Sequence, residues 1–130
     1  SMDYTTISAV VLPDIEVFGG DTQPWEIAIL HENGQPYTVG EMNGYESKLT
    51  VTPFSISHYS ESIRPVLSKS GRVGANSDGY AVVMFEFDST DTIRMRGKYI
   101  YQIAFSYGGT KLRVGQGKLI VRPNNNVASA

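Results

Sequence analysis

The sequence contains no cysteine, and this absence removes several classes of chemistry at once. Disulfide frameworks, thiolate metal sites and cysteine nucleophiles all require that residue. The absence also agrees with a reducing compartment, because disulfides persist mainly in oxidising ones. A chain of 130 residues is nevertheless long enough to fold around a hydrophobic core without covalent cross-links.

Charge and long apolar runs are also scarce. Only 18% of the residues are charged, the net charge is −2 and the pI is near 5.6. A nucleic-acid-binding protein usually has a basic excess on one face, so this balance argues against such a partner. No apolar run approaches the ~20 residues that a membrane helix needs. The composition predicts one globular domain whose partner is neither a nucleic acid nor a membrane.

What the sequence contains instead is a period-two alternation of side chains. Residues 99–107 carry aromatic or apolar side chains at every second position, and residues 25–30 show the same pattern. Such alternation predicts β-strands with one buried face. Thirteen glycines and six prolines mark turns and leave little room for long helices. Residues 89–95 predict one short helical turn, with Ser89 or Thr90 as its cap.

These signals predict an all-β fold, an antiparallel β-sandwich of about seven to nine strands with at most one short helical turn. Parallel neighbours need a long crossover, usually a helix, and no segment predicts one. We assign residues 14–123 to a single sandwich domain. Residues 1–13 are assigned to an N-terminal strand, with Ser1 as a cloning remnant, and residues 124–130 to a polar C-terminal tail.

The segment RVGQGKLIV, at 113–121, looks at first like a phosphate-binding loop, but its spacing fails. A P-loop needs a glycine five residues before the Gly-Lys pair, where this sequence has Leu112. It also needs serine or threonine after the lysine, where this sequence has Leu119. A helix N-terminus should then bind the anion, whereas a β-branched run ending in proline follows. The segment therefore predicts no nucleotide cofactor.

The two glycines of this segment have a structural interpretation. Apolar residues occupy even positions up to Val114 and odd positions from Leu119, so the phase of the alternation changes between them. A strand changes phase through a bulge, a bend or a switch of sheet, and glycine makes such a break least costly. We therefore predict a bulge or bend at Gly115 and Gly117, with Lys118 pointing to solvent.

No group of residues has the spacing of a catalytic or metal site. His31 and His58 lack partners at ligand spacing, and no Gly-x-Ser-x-Gly elbow marks a nucleophile. Asp78, Asp88 and Asp91 lack the spacing of a calcium loop, so turn-forming and capping roles are expected for them. The sequence predicts a protein that is not an enzyme, with no catalytic residue, no metal ligand and no cofactor.

Eight tyrosines, five phenylalanines and one tryptophan are a stronger indication of function. Exposed tyrosines stack on ligands or anchor protein interfaces, whereas tyrosines on an apolar strand face belong to a core. Tyr99, Tyr101 and Tyr107 share a face with other apolar residues and are predicted to be core, and Trp25 is assigned a structural role. The candidate interaction residues are Tyr45, His58 and Tyr59.

Two stretches of the sequence resemble a known family. Residues 20–37, GDTQPWEIAILHENGQPY, are similar to the opening motif of the N-terminal domains of phage upper baseplate proteins. Residues 96–103, RGKYIYQI, followed by a glycine-rich turn and by GKLIV, resemble the ending of small phage tail and baseplate domains. Gln102 replaces the aspartate usual in that ending, and Gly97 within it is assigned a structural role. With the strands between them, the motifs cover residues 14–124.

The resemblance implies an immunoglobulin-like β-sandwich in the virion of a phage or prophage, made in the bacterial cytoplasm. Its function would be that of a non-catalytic structural or attachment module, in contact with other tail or baseplate proteins or with copies of itself. The alternative is a carbohydrate-binding sandwich that reads a host glycan with exposed aromatic residues. Burial of Trp25, Tyr99, Tyr101 and Tyr107 together would remove most of the support for that alternative.

Overall fold

The structure is a computed structural model that describes residues 6–54 and 64–125. Within these residues it contains eight strands, a number inside the predicted range, and two helical turns. In chain order the elements are β1 (Thr6–Ala9), β2 (Ile15–Phe18), β3 (Trp25–Ala28), α1 (Val39–Met42), β4 (Glu46–Pro53), β5 (Leu67–Ala75), β6 (Ala81–Phe85), α2 (Ser89–Thr92), β7 (Gly97–Tyr107) and β8 (Lys111–Arg122).

The strands form one curled sheet that folds over on itself. Its order is β1-β8-β7-β4-β5-β6-β3, and β2 also pairs with β8. The first half of β5, residues 67–71, pairs with β4, and its second half, residues 72–75, pairs with β6. The ring of Trp25 on β3 lies 6.2 Å from the ring of Tyr101 on β7, so the two halves of the sheet face each other. The fold is an all-β, immunoglobulin-like sandwich.

The sheet is mainly antiparallel, as predicted, but β1 and β2 both run parallel to β8. A parallel pair needs a long connection. Here most of the domain provides it, because β1 and β2 lie near the start of the described chain and β8 near its end. Between them, residues 10–14 leave the ladder, and Val10 and Leu12 contribute side chains to the core.

The structure has two helical turns where the sequence analysis predicted at most one. The turn α2 lies in the predicted stretch, but its N-cap is Asp88, which forms a capping box with Asp91. The turn α1 follows Thr38, whose hydroxyl accepts a hydrogen bond from the Glu41 N–H at 3.2 Å. The Glu41 carboxylate accepts one from the Thr38 N–H at 3.0 Å. Thr38 and Glu41 have the capping-box spacing, and these two bonds stabilise the additional turn.

The core lies between the two halves of the sheet, and β7 contributes a row of buried side chains to it. Tyr101, Ile103 and Phe105 are completely buried, and Trp25 is buried too. Burial was predicted for Tyr99 and Tyr101, and both are buried. Tyr107 was expected in the same core but is 45% exposed. The prediction is wrong for this residue because β7 extends beyond the core, and Tyr107 pairs with Lys111 beside the hairpin turn.

The predicted bulge at Gly115 and Gly117 is also wrong, because the ladder between β7 and β8 is continuous along both strands. Close packing explains these glycines instead. A Cβ at Gly115 would lie 2.5 Å from Cγ2 of Val10, and one at Gly117 would lie 2.6 Å from the carbonyl oxygen of Pro13. The segment between β1 and β2 therefore crosses directly against the two glycines. Lys118 is exposed, as predicted.

Candidate functional site

The structure places Tyr45 in the core, although the sequence predicted it as a candidate interaction residue. Its side chain is only 9% exposed. Gly44 precedes it with a φ of 82°, and the Tyr45 N–H donates to the Met42 carbonyl at 3.2 Å, which turns the chain back towards the core after α1. The other two candidate interaction residues, His58 and Tyr59, lie outside the described residues.

The residues assigned a structural role have packing roles in the described structure. Gly97 begins β7 with a φ of 86°, a conformation that L side chains rarely adopt. Trp25 packs against Phe87, with 4.5 Å between the ring centroids. The hydroxyl of Tyr101 donates to the carbonyl of Pro13, which ties β7 to the N-terminal segment.

A cluster that no motif in the sequence indicates surrounds Arg113, on the inner face of β8. Its guanidinium carbon is 5.2 Å from the ring centroid of Tyr37 and 5.5 Å from that of Tyr45. Arg113 also donates hydrogen bonds to the two hydroxyls, at 3.1 and 3.2 Å. Burial works to lower the pKa of Arg113, but the hydroxyls of Tyr45 and Tyr37 leave it raised. Aromatic faces and hydroxyl oxygens thus hold a partly buried charge in place.

Two ring contacts extend this cluster at its ends. His31 stacks on Tyr37, with 3.5 Å between the ring centroids. At the other end, Tyr45 packs against Tyr107, with 5.4 Å between the centroids. We call these residues, His31, Tyr37, Arg113, Tyr45 and Tyr107, the aromatic ladder. It leads from the turn before α1 to the exposed ring at the end of β7.

The carboxylate of Glu41 lies beside the aromatic ladder, next to His31. One carboxylate oxygen is 3.2 Å from Nε2 of His31, and the other accepts the N–H of Thr38. The hydrogen bond from Thr38 has the largest effect and lowers the pKa of Glu41, against a smaller opposing effect of burial, and His31 lowers it further. Glu41 is therefore fixed both as a helix cap and as the partner of His31.

A groove of about 820 Å³ opens where β4 and β5 separate. Ser47 and Gly71 form the last pair of the β4–β5 ladder, after which β5 turns away to pair with β6. The turn α1 and the residues after it line one side. The charged residues of the lining are Glu46, Lys48 and Arg72. Half of the other lining residues have small side chains: Gly44, Ser47, Ser70, Gly71, Ala104 and Ser106.

Ser47 differs from the other serines of the groove. Its side chain is 6% exposed, and its Oγ has no hydrogen-bond partner among the described residues. Buried hydroxyls are almost always hydrogen-bonded, because burial without a partner costs free energy. The Ser47 side chain lies on the core face of β4 with Leu49 and Val51, so its hydroxyl is an unsatisfied polar group inside the domain.

A second surface lies on the outer face of β2, β8, β7 and β4. Side chains alternate along a strand, so Ile100 points away from the core-facing Tyr99. Ile120 lies on the same outer face of β8, and both isoleucines are half-buried. Phe18 and Phe54 follow at the two flanks and are 55% and 50% exposed. We call Phe18, Phe54, Ile100 and Ile120 the outer patch.

Basic side chains adjoin the outer patch. Lys98 is the ladder partner of Ile120, and Lys118 is the ladder partner of Ile100, so both lysines emerge on the outer face. Both are exposed, and neither forms an ion pair with a described residue. Arg122 also lies on this face, but it is paired with Glu16 of β2. The patch is thus apolar at its centre, and beside it lie two lysines that form no ion pair with a described residue.

The described ranges contain no group of three or more histidine and carboxylate side chains that could hold a metal ion. The same residues include no helix with the length and apolar character required to cross a bilayer.

No protein-family model and no curated protein matches this chain. Among solved structures, it is similar to CopC from Methylosinus trichosporium OB3b, with 9% identity and a TM-score of 0.43, over 91% of this chain and 98% of that chain. It is also similar to murine CRIg, with 8% identity and a TM-score of 0.36, over 89% of this chain and 97% of that chain. At these values neither protein assigns a function to this chain.

Proposed function

We propose that this protein is a non-catalytic structural and attachment module of a phage or prophage tail or baseplate, which docks on a neighbouring tail protein through the outer patch. The observation that carries the docking is the exposure of Phe18 and Phe54, at 55% and 50%, on the face that also carries Ile100 and Ile120. Large apolar side chains exposed together on one face are typical of interaction sites. The resemblance of residues 20–37 and 96–121 to phage domains supports the tail context.

The strands that carry the patch suit a docking surface. The two isoleucines lie on β7 and β8, the longest strands of the described sheet, with 11 and 12 residues. A paired ladder fixes the backbone before the partner arrives, so little conformational entropy is lost when the interface forms. The phenylalanines at the flanks supply the large apolar contacts that anchor interfaces.

The charges beside the patch favour a different protein over a second copy of this chain. In a two-fold dimer through the outer patch, Lys98 and Lys118 of the two copies would share one interface, and the contact between like charges would be unfavourable. A partner with an apolar centre and acidic residues around it would instead neutralise both lysines. Such a partner is expected to bind more weakly as the salt concentration rises.

The carbohydrate-binding alternative, as a row of exposed aromatic residues, is not favoured by the described side chains. Trp25, Tyr99 and Tyr101 are buried, and of the four aromatics considered only Tyr107 is exposed. These four residues therefore present one exposed ring and no row of rings on which successive sugars could stack. We therefore retain the attachment module as the proposed function.

The test is binding to the tail and baseplate proteins encoded beside this gene, each purified and measured by biolayer interferometry. The double variant Phe18→Ser, Phe54→Ser is expected to bind the partner at least ten-fold more weakly, with an unchanged unfolding midpoint. Tyr80→Ser is the matched control, because Tyr80 is also an exposed aromatic residue but lies outside the patch.

Three results would contradict the proposal. One is equal binding by the wild type and the double variant. Another is a gene that lies far from any tail or lysis gene. The third is concentration-dependent dimerisation in light scattering that the double variant abolishes, because the patch would then bind a second copy of the chain.

A further inference from the structure

The groove between β4 and β5 carries an inference that is independent of the outer patch. We propose that it binds a small anion rich in hydroxyl groups, of the chemical class of an acidic saccharide. Its volume of about 820 Å³ falls within the range of about 300–1,000 Å³ that is usual for small-molecule sites. The small side chains of the floor, such as Ser70, Gly71 and Ala104, let a ligand approach the backbone closely.

The charged residues of the groove select for an anion. Lys48 pairs with Ser70 across the β4–β5 ladder, and Arg72 lies two residues further along β5 on the same face. Neither forms an ion pair with a described residue. An ammonium and a guanidinium on neighbouring strands can both donate hydrogen bonds to one carboxylate, and arginine can do so with two parallel bonds.

The remaining polar groups require a ligand that also donates hydrogen bonds. Glu46 lines the same groove, two residues before Lys48, and its carboxylate only accepts hydrogen bonds. An inorganic anion without an O–H group cannot donate a hydrogen bond to Glu46. The hydroxyls of Ser70 and Ser106, which also line the groove, can donate or accept. A saccharide that carries a carboxylate supplies both the anion and the hydroxyl donors.

An exposed ring next to two lining residues agrees with a sugar in particular. Tyr107 packs on Tyr45, and its ring would lie 2.7 Å from a Cβ at Gly44. Gly44 and Tyr45 line the groove, so Tyr107 contacts the lining without being part of it. A tyrosine ring presents an apolar face with a polar tip, which suits the mixed surface of a pyranose. Lys111 lies 5.6 Å from the same ring centroid and adds positive charge at this end.

The probes are a digalacturonic acid and its uncharged methyl ester, which differ only in the carboxylates. Binding is followed by chemical-shift titration of the isotope-labelled chain at low salt. The acid is expected to bind at least ten-fold more tightly than the ester, with chemical-shift changes at Ser47, Gly71 and Ser106.

Two variants test the residues of the groove. Arg72→Ala is expected to weaken binding of the acid at least ten-fold and to leave binding of the ester unchanged. Tyr107→Ala is expected to weaken both probes by the same factor.

Lys118→Ala is the matched control, because Lys118 is an exposed cation that does not line the groove. This variant should bind both probes as the wild type does. The proposal is overturned if the acid and the ester bind equally, if acetate competes as well as the acid, or if Arg72→Ala has no effect. Binding of the tail partner should be unchanged in Arg72→Ala. Saccharide binding should be unchanged in Phe18→Ser, Phe54→Ser, so the two proposals can fail separately.

Discussion

A Cβ at Gly117 would lie 2.7 Å from the ring of Tyr101, its cross-strand partner on β7. The Tyr101 ring therefore occupies the space that a side chain at position 117 would need. Past the glycine, the Tyr101 hydroxyl donates to the carbonyl of Pro13. One ring thus connects β7, β8 and the N-terminal segment, and this contact requires the absence of a side chain on β8.

Gly117→Ala is expected to destabilise the protein by about 1–3 kcal/mol, because the added methyl group overpacks a filled space. The Pro13 carbonyl, 2.6 Å from the new Cβ, is backbone and cannot move aside as a flexible side chain would. Urea unfolding followed by tryptophan fluorescence measures the change.

Gly40→Ala is the matched control, because a Cβ in α1 would meet no atom closer than 3.9 Å. It should stabilise the protein by about 0.5–1 kcal/mol. Equal effects of the two substitutions would contradict the packing explanation.

Tyr101→Phe is expected to change the dependence of stability on alkaline pH. Burial, with a smaller effect from the charge of Asp14, raises the pKa of Tyr101 above its ordinary value of 10.0. The unfolded chain therefore loses this proton at lower pH than the folded protein does. The stabilisation is fully present below pH 10.0 and is lost as the pH rises above it.

Urea midpoints measured from about pH 8 to pH 11 should fall more steeply for the wild type than for Tyr101→Phe. At neutral pH the variant should be less stable by about 1 kcal/mol, since the Pro13 carbonyl loses its donor. Tyr80→Phe removes an exposed hydroxyl and serves as the control. Parallel pH profiles for the wild type and Tyr101→Phe would refute the assignment.

Glu41→Gln is expected to flatten the acid side of the stability profile. The hydrogen bond from the Thr38 N–H lowers the pKa of Glu41 below its ordinary value of 4.5. The stabilisation is therefore present above pH 4.5 and is lost as the pH falls through the lower folded value. Glutamine keeps the capping-box geometry without the charge, so the comparison isolates ionisation.

Thermal unfolding at several values between about pH 6 and pH 3 measures this effect. The wild type should lose more stability over that range than Glu41→Gln does. Glu26→Gln, an exposed carboxylate on β3, is the control and should follow the wild type. If Glu41→Gln has the same acid slope as the wild type, the Thr38 contact does not hold the carboxylate ionised.

The overall fold was predictable because its main signals are local. Alternation along residues 25–30 and 99–107 identifies buried strand faces, and glycine-rich turns separate the strands. The same reasoning failed on β8. Its inward positions are Arg113, Gly115, Gly117, Leu119 and Val121, and the first three of them carry no aliphatic side chain. A missing apolar pattern was interpreted as a change of phase, whereas neighbouring side chains fill the space above an unbroken strand.

The aromatic ladder and the groove could not be predicted, because their residues are distant in the sequence. The hydrogen bond from Arg113 to Tyr37 spans 76 positions, and no motif or spacing connects the two residues. The groove depends on the point at which β5 leaves β4, and the apolar pattern of neither strand marks that point. One signal was available: if the inward phase of Leu119 is continued back along β8, Arg113 is an inward-facing charge that must have buried partners.

Ser47→Ala is expected to stabilise the protein by about 1 kcal/mol. The wild-type hydroxyl is buried without a hydrogen-bond partner among the described residues, and removal of such a group relieves its desolvation cost. The remaining methyl group still packs opposite Gly71 at the end of the β4–β5 ladder. The change is measured as a shift of the urea midpoint without a change in the slope of the transition.

Ser106→Ala is the control for Ser47→Ala, because Ser106 lines the same groove but is more exposed. Removal of the Ser106 hydroxyl should change the free energy of unfolding by less than about 0.5 kcal/mol. Destabilisation by Ser47→Ala would contradict the assignment, since it would require a hydrogen bond to this hydroxyl in the free protein.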